Sequence, residues 1–212
     1  MAARSPSWCE WVVGSEVALP VAKNLWSRAD AVVRRVRYHY PGVSNNVVVS
    51  AGTMEKIAQH PNVVGCKLSH GNIDDHTLVA CNPNIDHDRF RTFTGLGQQL
   101  LPVLTVGGAG AIDGLSSVFP KTVVKLYDLF QGEKGEEQLN KMRELQYKIC
   151  AGEKLVARWG TIGIKEATSR ILGFGEKDGG RLPLRGGFPG GDQEWESWRP
   201  AMEELERVEK EL

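Results

Sequence analysis

Short apolar segments alternate with helical ones from residue 38 to residue 130, and this alternation narrows the architecture more than any other feature of the chain. Residues 34–40, 63–68, 90–94 and 109–113 read as strands. Between the first two, Ser50 is suited to cap a helix that presents Met54, Ile57 and Ala58 on one side and stops at Pro61. Between the second and third, Asn72 caps a helix whose first turn holds Asp74 and Asp75, the charge sign a helix N-terminus favours. Strands and helices joined in this order by ordinary loops predict βα units and a parallel sheet, an α/β fold. Strands that are apolar almost throughout fit a sheet covered on both faces. Pro41 biases Tyr40 toward extended geometry and ends the first strand, so Tyr38 belongs near that strand's C-terminal end.

Beyond these units the pattern turns helical. Residues 95–106 read as a loop and a short helix interrupted by Pro102, and 116–130 as a helix with Pro120 near its first turn. A helix over 134–150 and a further stretch to 172, broken around 160–163, have no strands between them. Residues 173–192 are rich in Gly and Pro and read as loop, after which Asp192 is expected to cap a charged amphipathic helix to about residue 210. The expected organisation is a leader over 1–36, βα units over 37–131, and a helical region over 132–212.

Composition limits the functions open to the chain. With 26 basic and 26 acidic residues in 212, no charge excess points to nucleic acid or an anionic membrane. Cys9, Cys66, Cys81 and Cys150 form no CxxC pair and no metal-type spacing with histidine, which fits a reducing compartment. No apolar run approaches the roughly 20 residues of a membrane helix. The expected location is cytoplasmic, with the mitochondrion as the alternative.

Within the second strand, Lys67 sits among Val63, Val64, Gly65, Cys66 and Leu68. Desolvation disfavours the ammonium form of a lysine and leaves the amine a better nucleophile toward carbonyls. A lysine on a solvent face, or one reaching outward along its stem, would read the same way.

Flanking motifs separate these readings. Y-H-Y-P-G-V at 38–43, H-P-N-V-V-G-C-K at 60–67, T-G at 94–95, G-G-A-G-A-I-D-G at 107–114 and, more loosely, G-I-K-E-A at 163–167 stand in one order and spacing. Together they resemble the dihydrodipicolinate synthase and N-acetylneuraminate lyase family of Schiff-base (β/α)8 TIM barrels. The G-C-K-L-S-H-G-N run is similar to the branch of 4-hydroxy-2-oxoglutarate aldolase and 2-keto-3-deoxy-sugar-acid aldolase. The resemblance covers about residues 37–185. It implies that Lys67 forms an imine with a 2-keto acid derived from pyruvate and that Tyr38 relays protons. It further implies that Ser69, Thr94, Gly95 and Ile112 bind substrate, with His70 beside them. Neither metal nor organic cofactor is implied, and a homo-oligomer is.

The chain also departs from the family pattern. It has no G-T-T-G-E carboxylate-binding loop and no later P-P-Y-Y-type loop, and residues 1–37 stand where about four βα units of a complete barrel of about 250 residues belong. The expectation is therefore the C-terminal half of a barrel plus C-terminal helices. Two functions remain open: a class I aldolase, and a catalytically impaired half barrel acting as a structural or partner-binding member.

Other signals carry less. The glycines of 107–114 suit a tight turn better than a phosphate cradle. His70, His76 and His87 match no standard metal spacing and read as surface or capping residues. Lys165 belongs to a solvated helix face, and Cys66 points away from Lys67 as a buried, inert thiol.

Overall fold

The computed structural model describes residues 34–133 and 135–212, so the expected leader lies outside the described residues as far as residue 33. The chain divides into two units. One holds the described residues up to Thr94 together with Thr105–Ala109, and the other holds Gly95–Leu104 with Gly110–Leu212. The division follows Thr94, not residue 131, because Leu100 and Leu104 join the core of the later helices while the strands keep a core of their own.

In the first unit, β1 (Arg35–His39), β2 (Val63–Leu68) and β3 (Arg91–Thr94) run parallel, with β2 between the other two. The connections are α1 (Ala51–Ala58) and α2 (Ile73–Ala80). Ser50 and Asn72 both cap as expected. Ser50 Oγ accepts from Thr53 N at 3.3 Å, and Asn72 Oδ1 accepts from Asp74 N at 2.9 Å and Asp75 N at 3.4 Å. Met54, Ile57 and Ala58 of α1 and Val79 of α2 pack with Cys66 and Leu68 of β2 and with Phe90 in one buried cluster. Arg89 fastens the end of α1 to β2: its guanidinium donates to the carbonyls of Ala58 at 2.6 Å, His60 at 2.8 Å and Val63 at 3.1 Å. After β3, Ala109 N donates to Thr92 O at 2.7 Å, and Gly107, at φ 83°, makes the turn expected of its glycine run.

The second unit is helical. A 3-10 turn at Gly97–Gln99 leads into α3 (Leu100–Thr105), and β4 is only Gly110–Ala111. Pro102 does not interrupt α3, because it falls in the first turn, where its missing N–H costs no helical bond. The helix expected over 116–130 is a 3-10 turn at Leu115–Ser117 followed by α4 (Pro120–Gln131), since proline at the first helical position sets the start. The long α5 (Glu136–Leu172) is continuous except at Gly160, whose φ 53° and ψ −131° put the expected break at one residue. Gly173 closes α5 in the left-handed conformation. The last helix, α6 (Gly191–Glu211), begins after Gly190 without a side-chain cap; Asp192 does not cap it as expected, because it already lies in the first turn, with its carboxylate bonded to Arg170 at 2.7 Å. Gly152 of α5 leaves no room for a Cβ against Leu205 of α6, so these two helices meet at close range. Leu115, Phe119, Leu126, Ile149, Leu155, Met202 and Leu205 fill the core among α4, α5 and α6.

Candidate active site

Parallel register decides which side chains share a face. Tyr38 pairs with Lys67, and Lys67 with Phe93, so one row across β1, β2 and β3 carries a phenol, an amine and a phenyl ring. The next row pairs His39 with Leu68 and Leu68 with Thr94, on the opposite face. Lys67 is half-buried, and its Nζ stands 4.2 Å from the centroid of the Tyr38 ring. A cation over a ring face at that distance is held electrostatically as well as by packing. Ser69, buried just past β2, donates from Oγ to the Tyr38 phenol oxygen at 3.2 Å, while its own N–H bonds to His39 O at 2.8 Å. The ring of Tyr40 lies 5.9 Å from that of Tyr38. Amine, phenol and hydroxyl thus form one connected group at the C-terminal ends of β1 and β2, where barrel folds place their chemistry.

On the helix-facing side the thiol of Cys66 is fully buried, 3.8 Å from Thr92 Oγ1, and burial pushes its pKa up to about 12. The inert thiol expected there has that cause.

Three of the six expected site residues, Lys67, Tyr38 and Ser69, come together in this way. Thr94 is fully buried in the row of Leu68, and its side chain faces the helices instead of Lys67. The two-residue period of a strand places Phe93 beside Lys67. Gly95 and Ile112 belong to the second unit, where Ile112 is 47% exposed.

Of the histidines expected at the surface or as caps, His70 accepts from Asn72 N through Nδ1 at 3.3 Å at the start of α2, whereas His76 is buried. The His70 ring lies 5.2 Å from that of His39 and 5.1 Å from that of His76, edge to face in each case. His76 is fully buried with Nδ1 2.8 Å from Asn72 O, and His39 Nε2 accepts from Val49 N at 3.3 Å. Burial, then the neighbouring His76 and His39, lower the pKa of His70 to about 4, against a pull from Asp75. Burial also lowers that of His39. His87 is elsewhere, with Nε2 2.8 Å from Asn82 O. Among the described residues no group of three or more His, Cys, Asp or Glu side chains is arranged to hold a metal ion. Lys165 is exposed on α5.

A profile of the dihydrodipicolinate synthetase family matches residues 29–186. The chain belongs to that family. It is 27% identical over 140 residues to the probable mitochondrial 4-hydroxy-2-oxoglutarate aldolase of Emericella nidulans, covering 66% of this chain and 43% of that one. To the L-threo-3-deoxy-hexylosonate aldolase of Hypocrea jecorina it is 31% identical, covering 66% of this chain and 45% of the relative. Among solved structures, the putative dihydrodipicolinate synthase of Thermus thermophilus superposes with a TM-score of 0.75 at 26% identity. The dihydrodipicolinate synthase of Thermotoga maritima does so at 0.76 and 26%. Each alignment covers 89% of this chain and 61% of the neighbour. The chain therefore spans a little under half the length of these curated relatives and about three-fifths of these solved chains. Its βα units are those of a partial TIM barrel.

Neither Phe93 nor the Ser69–Tyr38 hydrogen bond was legible as part of the site. Strand alternation was the signal for Phe93, since it pairs with Lys67 once the register of β3 is known. Nothing local marked Ser69 and Tyr38 as partners, because their contact spans 31 positions of sequence.

Proposed function

We propose that Lys67 is the imine-forming lysine of a class I aldolase acting on pyruvate-derived 2-keto acids, such as 4-hydroxy-2-oxoglutarate or a 2-keto-3-deoxy sugar acid. One observation carries this reading: the Lys67 amine lies against the Tyr38 ring, and the phenol oxygen of that ring takes the hydrogen bond of Ser69. The family relatives named as aldolases support the substrate class.

In the proposed reaction the neutral amine adds to the C2 carbonyl, and Tyr38 supplies the proton with which the carbinolamine hydroxyl leaves as water. The protonated imine then accepts the electron pair of the C3–C4 bond as that bond breaks. The C4 hydroxyl gives up its proton to the phenolate and becomes the carbonyl of the released aldehyde. Protonation of the enamine at C3 and hydrolysis return pyruvate and the free lysine. Ser69 holds the phenol in place through these transfers. The lysine itself supplies the electron sink, so the scheme draws on neither a metal nor an organic cofactor. It rests on residues of the first unit alone.

Borohydride reduction in the presence of pyruvate tests it. The expected result is a covalent mass increment on Lys67, absent from Lys67→Met and diminished in Tyr38→Phe. No increment on Lys67 in protein with native ellipticity sinks the proposal. Assembly as a homo-oligomer is part of the same reading and is checked by light scattering. For location, the Emericella relative is named as mitochondrial, and no described helix is long and apolar enough to cross a membrane. A mitochondrial or cytoplasmic site of action is proposed, and imaging of the tagged chain separates the two.

A further inference from the structure

One face of α5 grips the segment that opens the second unit. Gln146 Nε2 donates to Gly97 O at 3.1 Å, and Gln146 Oε1 accepts from Leu101 N at 2.7 Å. One turn on, Cys150 Sγ lies 3.5 Å from Gln98 O. One turn further, Glu153 is 2% exposed, and its carboxyl accepts from the N–H groups of Leu115 and Gly97. Its Oε1, however, meets no protein donor, and neither does Oδ2 of Asp113 on the turn after β4. Both oxygens are shielded from water, and a Cβ at Gly97 would run into both, so they converge on the space that glycine leaves. Asp113 Oδ1 is separately occupied by Ser116 N at 3.3 Å.

Two buried acceptors that face each other without a donor are costly, because each lacks a hydrogen bond and two carboxylates repel. A single proton placed between them removes both costs. We propose that Asp113 and Glu153 share one proton across a carboxylic acid–carboxylate hydrogen bond, which clamps the turn after β4 to α5 and which alkaline solution opens. Burial first, then the hydrogen bond and charge of Asp113, push the Glu153 pKa up to about 8.

The charge that acts on Glu153 is that of Asp113. The 3-10 turn before α3 presents neutral Gln98 and Gln99, and the turn after β4 presents Asp113 alone. On α5 itself the titratable neighbour one turn away is Cys150. From α4, Val123 and Leu126 enter the core, and from α6 Met202 and Leu205 do so, while Glu204 of α6 is paired with Lys148 at 3.0 Å. Ile112 precedes Asp113 in the chain and rides on the same turn.

In the folded chain Glu153 keeps its proton to a higher pH than an unfolded glutamate, with its ordinary value of 4.5. Its contribution is therefore complete below about 4.5 and is lost as pH rises through about 8. Carboxyl carbon NMR of labelled wild-type protein measures the titration directly, and amide hydrogen exchange at residues 97–101 and 113–117 reads the clamp. The expected result is a Glu153 midpoint near 8, with protection of those amides falling about tenfold between pH 7 and pH 9 after correction for intrinsic exchange. Glu153→Gln, a neutral group that donates to Asp113 at every pH, should abolish the fall. A Glu153 midpoint in the ordinary carboxylate range, or protection independent of pH in the wild type, overturns the proposal. Because the wild-type titration stands by itself, a poorly folding variant does not rescue it. The readout is confined to the second unit and is independent of imine formation at Lys67.

Discussion

Replacing Glu209 with alanine should weaken the helical unit through a contact that no local rule anticipates. The helix α4 starts with Pro120, and its N-cap, Phe119, has no side-chain acceptor. Its second and third residues would leave their N–H groups without partners. Glu209, in the last turn of α6, takes both: Oε1 accepts from Lys121 N at 2.8 Å and Oε2 from Thr122 N at 2.8 Å. Oε2 also accepts the Thr122 hydroxyl at 2.7 Å, and Thr122 is fully buried. Losing a cap costs about 0.5–2 kcal/mol, and losing a carboxylate at a helix N-terminus about 0.3–1 kcal/mol more. The stranded Thr122 hydroxyl adds about 1 kcal/mol, the lower end for a buried polar group, since water can enter where Glu209 stood. Glu209→Ala should therefore cost about 2–4 kcal/mol, and Glu209→Gln about half, because the amide keeps one acceptor and drops the charge. Urea denaturation followed by far-UV ellipticity measures both. A cycle with Thr122→Val should show coupling of about 0.5–1.5 kcal/mol, since the valine no longer strands a hydroxyl. A cost for Glu209→Ala under about 0.5 kcal/mol, or strict additivity in the cycle, would refute the assignment.

Two further outcomes follow from the strand unit. The His70 pKa is lowered to about 4, so the unfolded state binds more protons between there and the ordinary 6.5, and stability should be full above 6.5 and fall with pH toward 4. With solvent screening of this half-buried ring the loss is about 1–2 kcal/mol. His70→Asn should lose less than the wild type between pH 7 and pH 4.5 in urea midpoints, and equal losses would count against the argument. Gly65→Ala places a methyl group inside the contact distance of the Arg91 carbonyl on β3. Because backbone must yield, it should cost about 2–3 kcal/mol and reduce borohydride trapping at Lys67, two residues along the same face. A normal urea midpoint and normal trapping would show that the strands have slack.

Local chemistry determined a large part of this protein. Ser50 and Asn72 cap their helices because a short side-chain oxygen can reach only the N–H groups two or three residues on. Proline and glycine set the start of α4 and the break in α5 because their backbones allow little else there. The order of strands and helices, and the motifs around Tyr38 and Lys67, carried the family and the pairing of amine with phenol. What the sequence left open is what depends on residues far apart in the chain. Strand register placed Phe93 beside Lys67 and turned Thr94 away, and a shift of one residue reverses that choice. Ser69 and Tyr38, Glu209 and Thr122, and Asp113 and Glu153 became partners only through packing. A carboxylate in the last turn of a helix is unfavourable by local rules, and a glutamate within a helix normally faces water. Glu209 serves the N-terminus of α4, and Glu153 is held dry against a second acid, because the burial of Leu115, Leu126, Ile149 and Leu205 brings their helices together first.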